Sequence, residues 1–144
     1  MPDDGTDGLE VLTDEECLAL LTTHHLGRIG FVDDGWPVIL PVNYVFDEPS
    51  IVVRTGPGGK LDDMPLSMVA FEIDEADPAG AWGWSVLAQG PAFDISDSID
   101  EYSDALRRLP VHPHAPGAKL NWLKITARRV SGRRFGTPPP LPST

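Results

Sequence analysis

Apolar residues alternate with polar residues or glycine along most of this chain, and the spacing lengthens to that of a helix in two places. Leu26 to Val32 and Trp36 to Phe46 read as two strands joined by the turn Asp33-Asp34-Gly35, an Asp-Gly hairpin signal. After a turn at Asp47 to Ser50, the β-branched run Ile51 to Thr55 predicts a third strand, and Met68 to Asp74 a fourth. Trp82 to Ile95 is long enough for a fifth, bent strand, with Gly90 and Pro91 marking a bulge or an edge. Leu120 to Phe135 reads as one final strand, in which Leu123, Ile125 and Ala127 alternate with Trp122, Lys124, Thr126 and Arg128. The first helix follows the capping box Thr13-Asp14-Glu15-Glu16, flanked by Leu12 and Cys17 at the staple positions. The second is predicted from a box at Ser98 and Glu101, with Ile99, Tyr102, Leu106 and Leu109 at helical spacing, and ends at Pro110. Arg107 and Arg108 fall in its last turn, where the helix dipole favours cations.

Six strands and two short helices, joined mostly by hairpins and short loops, predict a mainly β protein built as a small antiparallel barrel. Closure removes the sheet edges that flat apolar strands would leave open to aggregation. Residues 1–8 are an acidic, Gly- and Pro-punctuated lead, 9–135 form the domain, and 136–144 are a proline-rich tail. At 144 residues the chain suits a single domain. With one cysteine and no signal-like or membrane-spanning run, a cytoplasmic protein is expected. Cys17 reads as a packed apolar residue, because acidic neighbours disfavour a thiolate.

Charge changes the picture. The net charge is −11, yet every acid lies in residues 1–104, where 22 acidic side chains face only Arg28, Arg54 and Lys60. Residues 105–144 carry eight bases and no acid. The total argues against a general nucleic-acid binder, which needs a basic domain or face. An anionic small ligand needs only a few placed cations. Arg54-Thr-Gly-Pro-Gly-Gly-Lys60 ends a strand in a glycine-rich turn between two of those three scarce cations, a composition that suits a phosphate. It is neither a Walker loop, since Leu61 follows Lys60, nor a dinucleotide fingerprint. Gly83-Trp84-Ser85 lacks the second glycine of a nucleophile elbow. His24, His25, His112 and His114 lack the spacing of a zinc site. The carboxylates fall at helix starts and turns, and Trp82, Trp84 and Trp122 suit a core, a dimer contact or the flank of a cofactor ring.

In order and spacing, Leu26-Gly-Arg-Ile-Gly-Phe31, Pro41-Val-Asn-Tyr44, Ile51-Val-Val-Arg-Thr55, Gly59-Lys60-Leu61, Val69-Ala-Phe-Glu-Ile-Asp74 and Trp84-Ser-Val-Leu87 with Gly90 resemble the pyridoxamine 5'-phosphate oxidase-like flavin-binding split barrels. The likeness is greatest to small actinobacterial flavin or deazaflavin oxidoreductases and nitroimidazole-resistance proteins, over about residues 9–135. The resemblance implies a six-stranded antiparallel split β-barrel that forms a homodimer, with FMN in a cleft between subunits and a small organic substrate. It implies backbone contacts to the flavin ring from Pro41, Val42, Asn43 and Tyr44, a phosphate clamp of Arg54, Thr55, Gly59 and Lys60, and a cofactor contact from Ser85. His114, Trp122 and Arg133 are implied as the partner subunit's wall. The ending Ser131-Gly-Arg-Arg-Phe-Gly136 departs from the vitamin-gripping segment of the true oxidases and argues against vitamin B6 oxidation. The expected function is FMN-dependent redox chemistry, with no nucleic acid or membrane partner. Alternatives are a deazaflavin-dependent reductase and a non-catalytic flavin- or haem-sequestering protein.

Overall fold

In the computed structural model, which describes residues 9–55, 67–113 and 121–137, the elements are β1 (Leu9–Val11), α1 (Asp14–Thr23), β2 (Leu26–Asp33), β3 (Trp36–Asp47), β4 (Ser50–Thr55), β5 (Met68–Ala76), β6 (Gly83–Asp94), α2 (Glu101–Leu106), β7 (Asn121–Thr126) and β8 (Arg129–Phe135). Asp34 and Gly35 take φ of 51° and 80°, the left-handed pair that twists a two-residue turn with its strands. That turn sets β2 against β3 from Asp33 opposite Trp36 to Leu26 opposite Asn43. The neighbours then run β5, β2, β3, β4, β7, all antiparallel, and β6 pairs with both β5 and β7 to close a six-stranded barrel.

The predicted final strand from Leu120 to Phe135 is two strands. β7 pairs with β4 and β6, whereas β8 leaves the barrel wall to pair with the first half of β6 and with β1. The change of partner falls at Ala127 and Arg128, whose amides donate to the carbonyls of Pro49 and Gln89. β6 changes partner in step, from β8 up to Gln89 to β7 from Ala92. Gly90 sits at that junction, and a Cβ there would collide with the Thr126 carbonyl oxygen, so the expected bulge is a crossing of strands.

Alternation along the strands sends Ile29, Phe31, Val42, Tyr44, Ile51, Val53, Phe71, Ile73, Val86, Leu123 and Ile125 inward, and α1 closes the core with Cys17, Leu20 and Leu21. The α1 capping box forms as predicted: the Glu16 amide donates to Thr13 Oγ1 at 3.1 Å and the Thr13 amide to Glu16 Oε1 at 2.9 Å. Cys17 is fully buried, and burial, then the charges of Asp14 and Glu16, pushes its thiol pKa up. The second helix starts two residues later than predicted. Asp100, not Ser98, is its N-cap and accepts from the Ser103 amide at 2.9 Å, while Ile99 is fully in solvent and Tyr102 is exposed. A smaller cluster of Ile95, Leu106 and Val111 covers the outer side of β4 at Val52. β4 is therefore buried on both faces, which is why it reads as a continuous apolar run.

Candidate functional site

The β4 strand carries its odd residues, Ile51 and Val53, into the barrel and its even residues, Ser50, Val52 and Arg54, to the outer side. Arg54 lies directly opposite Trp122 on β7. Its guanidinium carbon stands 4.5 Å from the centre of the indole ring, a cation–π stack that fixes the planar group. Arg54 Nε is buried and has no hydrogen-bond partner among the described residues. A buried guanidinium nitrogen without an acceptor is costly, and a bound anion would satisfy it. Thr55, buried and opposite Asn121, ends the strand beside it.

On β3, Val42 and Tyr44 point into the core. Tyr44 is 1% exposed, its hydroxyl donates to the Leu21 carbonyl at 2.7 Å, and its ring meets Phe71 edge-on at 4.8 Å. Burial pushes its phenol pKa up, so this side chain is a structural anchor, not a source of protons. Pro41 and Asn43 face outward. The ladder between β3 and β4 ends at Tyr44 opposite Val53, so the main chain of Pro41 to Asn43 has no ladder partner on the β4 side among the described residues. Among the described residues that stretch of edge is unpaired, and continuing the register would bring Asn43 opposite Arg54.

Ser85 and Arg133 form a separate group. They are opposite each other on β6 and β8, and Asp74 of β5 lies on the other side of Ser85. Arg133 is exposed and makes no ion pair among the described residues. Within the chain the structure therefore brings together Arg54, Thr55, Trp122 and the β3 edge, and sets Ser85 and Arg133 on another part of the wall. Gly59, Lys60 and His114 lie outside the described residues.

One polar cluster escapes a reading of local sequence. Arg28 on β2 reaches Glu72 Oε1 at 3.4 Å and Asp74 Oδ2 at 3.3 Å on β5. Burial, then hydrogen bonding and charge from Asp74, pushes the Glu72 pKa up to about 7 against the opposing pull of Arg28. The spacing of Glu72 and Asp74 puts both on one strand face, but the cation across from them is set by a long-range register. His24 has a structural role: its Nδ1 lies 2.8 Å from the Leu20 carbonyl and its ring meets Trp84 edge-on at 4.9 Å.

A closed six-stranded barrel with an arginine stacked on tryptophan at a strand end defines a split-barrel protein. The chain belongs to the pyridoxamine 5'-phosphate oxidase family, whose model matches residues 13–134. Among solved structures, an FAD-binding protein from Mycobacterium smegmatis is 32% identical, with 88% of this chain and 98% of that one covered at a TM-score of 0.71. A conserved protein of unknown function from Corynebacterium diphtheriae is 30% identical, over 90% and 99% of the two chains, with a TM-score of 0.72. An uncharacterised protein of Mycobacterium tuberculosis is 31% identical over 127 residues, 84% of this chain and 82% of that one.

Proposed function

We propose that this protein is a homodimeric flavin-dependent oxidoreductase of the cytoplasm, with FMN as its cofactor and a small organic molecule as its substrate. The observation that carries the reading is Arg54: a guanidinium stacked on Trp122 whose buried Nε lacks an acceptor among the described residues. A flavin phosphate would supply that acceptor, with Thr55 beside it and Gly59 and Lys60 completing the clamp. The open main-chain edge of Pro41 to Asn43 would meet the polar rim of the ring. The bound flavin would carry the electrons, while the protein supplies orientation and a dry flank. The relative from M. smegmatis is named for FAD binding, which favours a flavin here as well. FMN and FAD share the ring and its first phosphate, and a single clamp of one arginine and one lysine matches the smaller cofactor.

The dimer rests on a second observation. Leu26, Val32, Ile39 and Met68 are 58%, 64%, 71% and 63% exposed, and strand parity places all four on the outer face of β2, β3 and β5. Val32, Ile39 and Met68 gather around Gly30, Pro37 and Ala70, with Leu26 set apart beyond Arg28; an apolar patch of this kind marks a protein contact, and a second copy is the occupant that a two-subunit cofactor cleft requires. Ser85 and Arg133 would then reach the cofactor from the neighbouring protomer.

Adding FMN, FAD or a deazaflavin cofactor to purified protein, followed by anaerobic addition of a nicotinamide donor, tests the reading. A bound-flavin spectrum with FMN, bleached by the donor and restored by an acceptor, is the expected result. Tight binding without reduction by any donor would leave a carrier instead of an enzyme, and no binding of any flavin would remove the proposal.

A further inference from the structure

At the far end of β4 and β7 from Arg54, a hollow of about 590 Å³ opens between the first turn of α1, the turn joining β3 to β4, and the start of β8. Arg54 faces Trp122 at one end of these strands and Ser50 faces Thr126 at the other. Four residues of strand separate the two ends by about 13 Å. The hollow's floor is apolar: Leu18, Phe46, Ala127 and Val130 line it and pack against the main core. Over that floor stand Arg128 and Arg129.

Both arginines are exposed, and neither has an ion-pair partner among the described residues. Among the other described arginines, Arg133 is likewise exposed without an ion pair, and the rest are engaged. Arg134 pairs with Glu10 and Glu16, Arg28 with Glu72 and Asp74, and Arg107 and Arg108 with Asp104. Arg128 and Arg129 are adjacent in the chain, and both line one hollow with an apolar floor. Asp14 and Glu48 also line the hollow, so its charged walls balance. A polyanion would meet those carboxylates, whereas a single carboxylate needs only one guanidinium fork, which can hold it through paired hydrogen bonds. Gln89, opposite Arg129 across β6 and β8, also lines this hollow.

We propose that this hollow is a second binding site, separate from the Arg54 corner, for an amphipathic monocarboxylate. Its carboxylate is held by Arg128 or Arg129, and its hydrocarbon body lies on Leu18, Phe46 and Val130. The size of the hollow is within the range of small-molecule sites, about 300–1,000 Å³, and its mix of apolar walls with a few convergent polar groups is theirs.

Titration with octanoate, followed by amide chemical shifts of the full chain, tests the assignment, with octylamine and inorganic phosphate as contrasting probes. Octanoate is expected to give saturable shifts at Gln89, Val130 and Ser131, and the other two probes none at the same concentrations. Joint Arg128→Gln and Arg129→Gln substitution is expected to weaken octanoate binding at least about tenfold with the remaining spectrum unchanged. Should that variant unfold, the contrast between octanoate and octylamine decides alone. The same shifts are expected in protein saturated with FMN. Absence of saturation, equal binding of octylamine, indifference of a folded double variant, or displacement of octanoate by flavin would each overturn the proposal.

Discussion

Glu72 gives the barrel a pH dependence that can be measured. Its folded-state pKa is raised to about 7 from the ordinary value of 4.5, chiefly by burial and by Asp74. Between those values the folded protein holds a proton that the unfolded chain has released, so the contribution to stability is present below about pH 4.5 and is lost as pH rises through 7. Glu72→Gln is expected to flatten that part of the profile. Urea midpoints for both proteins at about pH 5 and about pH 8 check it: the wild type should lose more than the variant, and parallel losses would contradict it. Tyr44 makes a second residue-scale case. Tyr44→Phe leaves the Leu21 carbonyl without its donor and should cost about 1 kcal/mol, read as a lower denaturation midpoint with the fold intact.

At the scale of elements, Gly90 and Gly30 separate two kinds of strand glycine. A Cβ on Gly90 would collide with the Thr126 main chain where β6 changes partner, whereas one on Gly30 would meet Ala70 Cβ at an ordinary 3.8 Å. Gly90→Ala is expected to destabilise by about 1–3 kcal/mol or more, and Gly30→Ala to stay within about 0.5 kcal/mol, in the same denaturation assay. This contrast also shows what local sequence can and cannot carry. The Asp34-Gly35 hairpin and the Thr13 capping box are legible because a few adjacent residues supply all their geometry. The break between β7 and β8 is not, because it follows from β6 serving two different partners along its length. Asp100 displaces Ser98 as N-cap although both suit the role, and the choice is made where Leu106 must meet the cluster over β4. Scarcity of cations singles out Arg54 in the sequence, but its stack on Trp122 depends on a pairing 68 residues away in the chain. Arg28 is legible as a base and not as a clamp on Glu72 and Asp74, for the same reason.

Across the whole molecule, the proposed dimer would meet through the outer face of β2, β3 and β5. Ile39 is 71% exposed at its centre, opposite Gly30, so a charge there should not disturb the barrel interior. Ile39→Glu is expected to convert a dimer into a folded monomer in sedimentation velocity and to weaken flavin binding in parallel; a monomeric wild type would contradict this. The asymmetry of charge acquires a structural sense at the same scale. In the acidic part of the chain Arg28 is engaged by carboxylates, whereas Arg54 is held by an aromatic ring and its Nε has no hydrogen-bond partner among the described residues. The measurement that bears most directly on the account is calorimetric titration of FMN into the wild type, Arg54→Ala and Arg128→Ala. Loss of one charge-assisted clamp on the phosphate should weaken binding to Arg54→Ala by about 10- to 100-fold, while Arg128→Ala, at the other end of β4 and β7, keeps wild-type affinity. Equal FMN affinity in the wild type and a folded Arg54→Ala protein would contradict the assignment of this corner to the flavin phosphate.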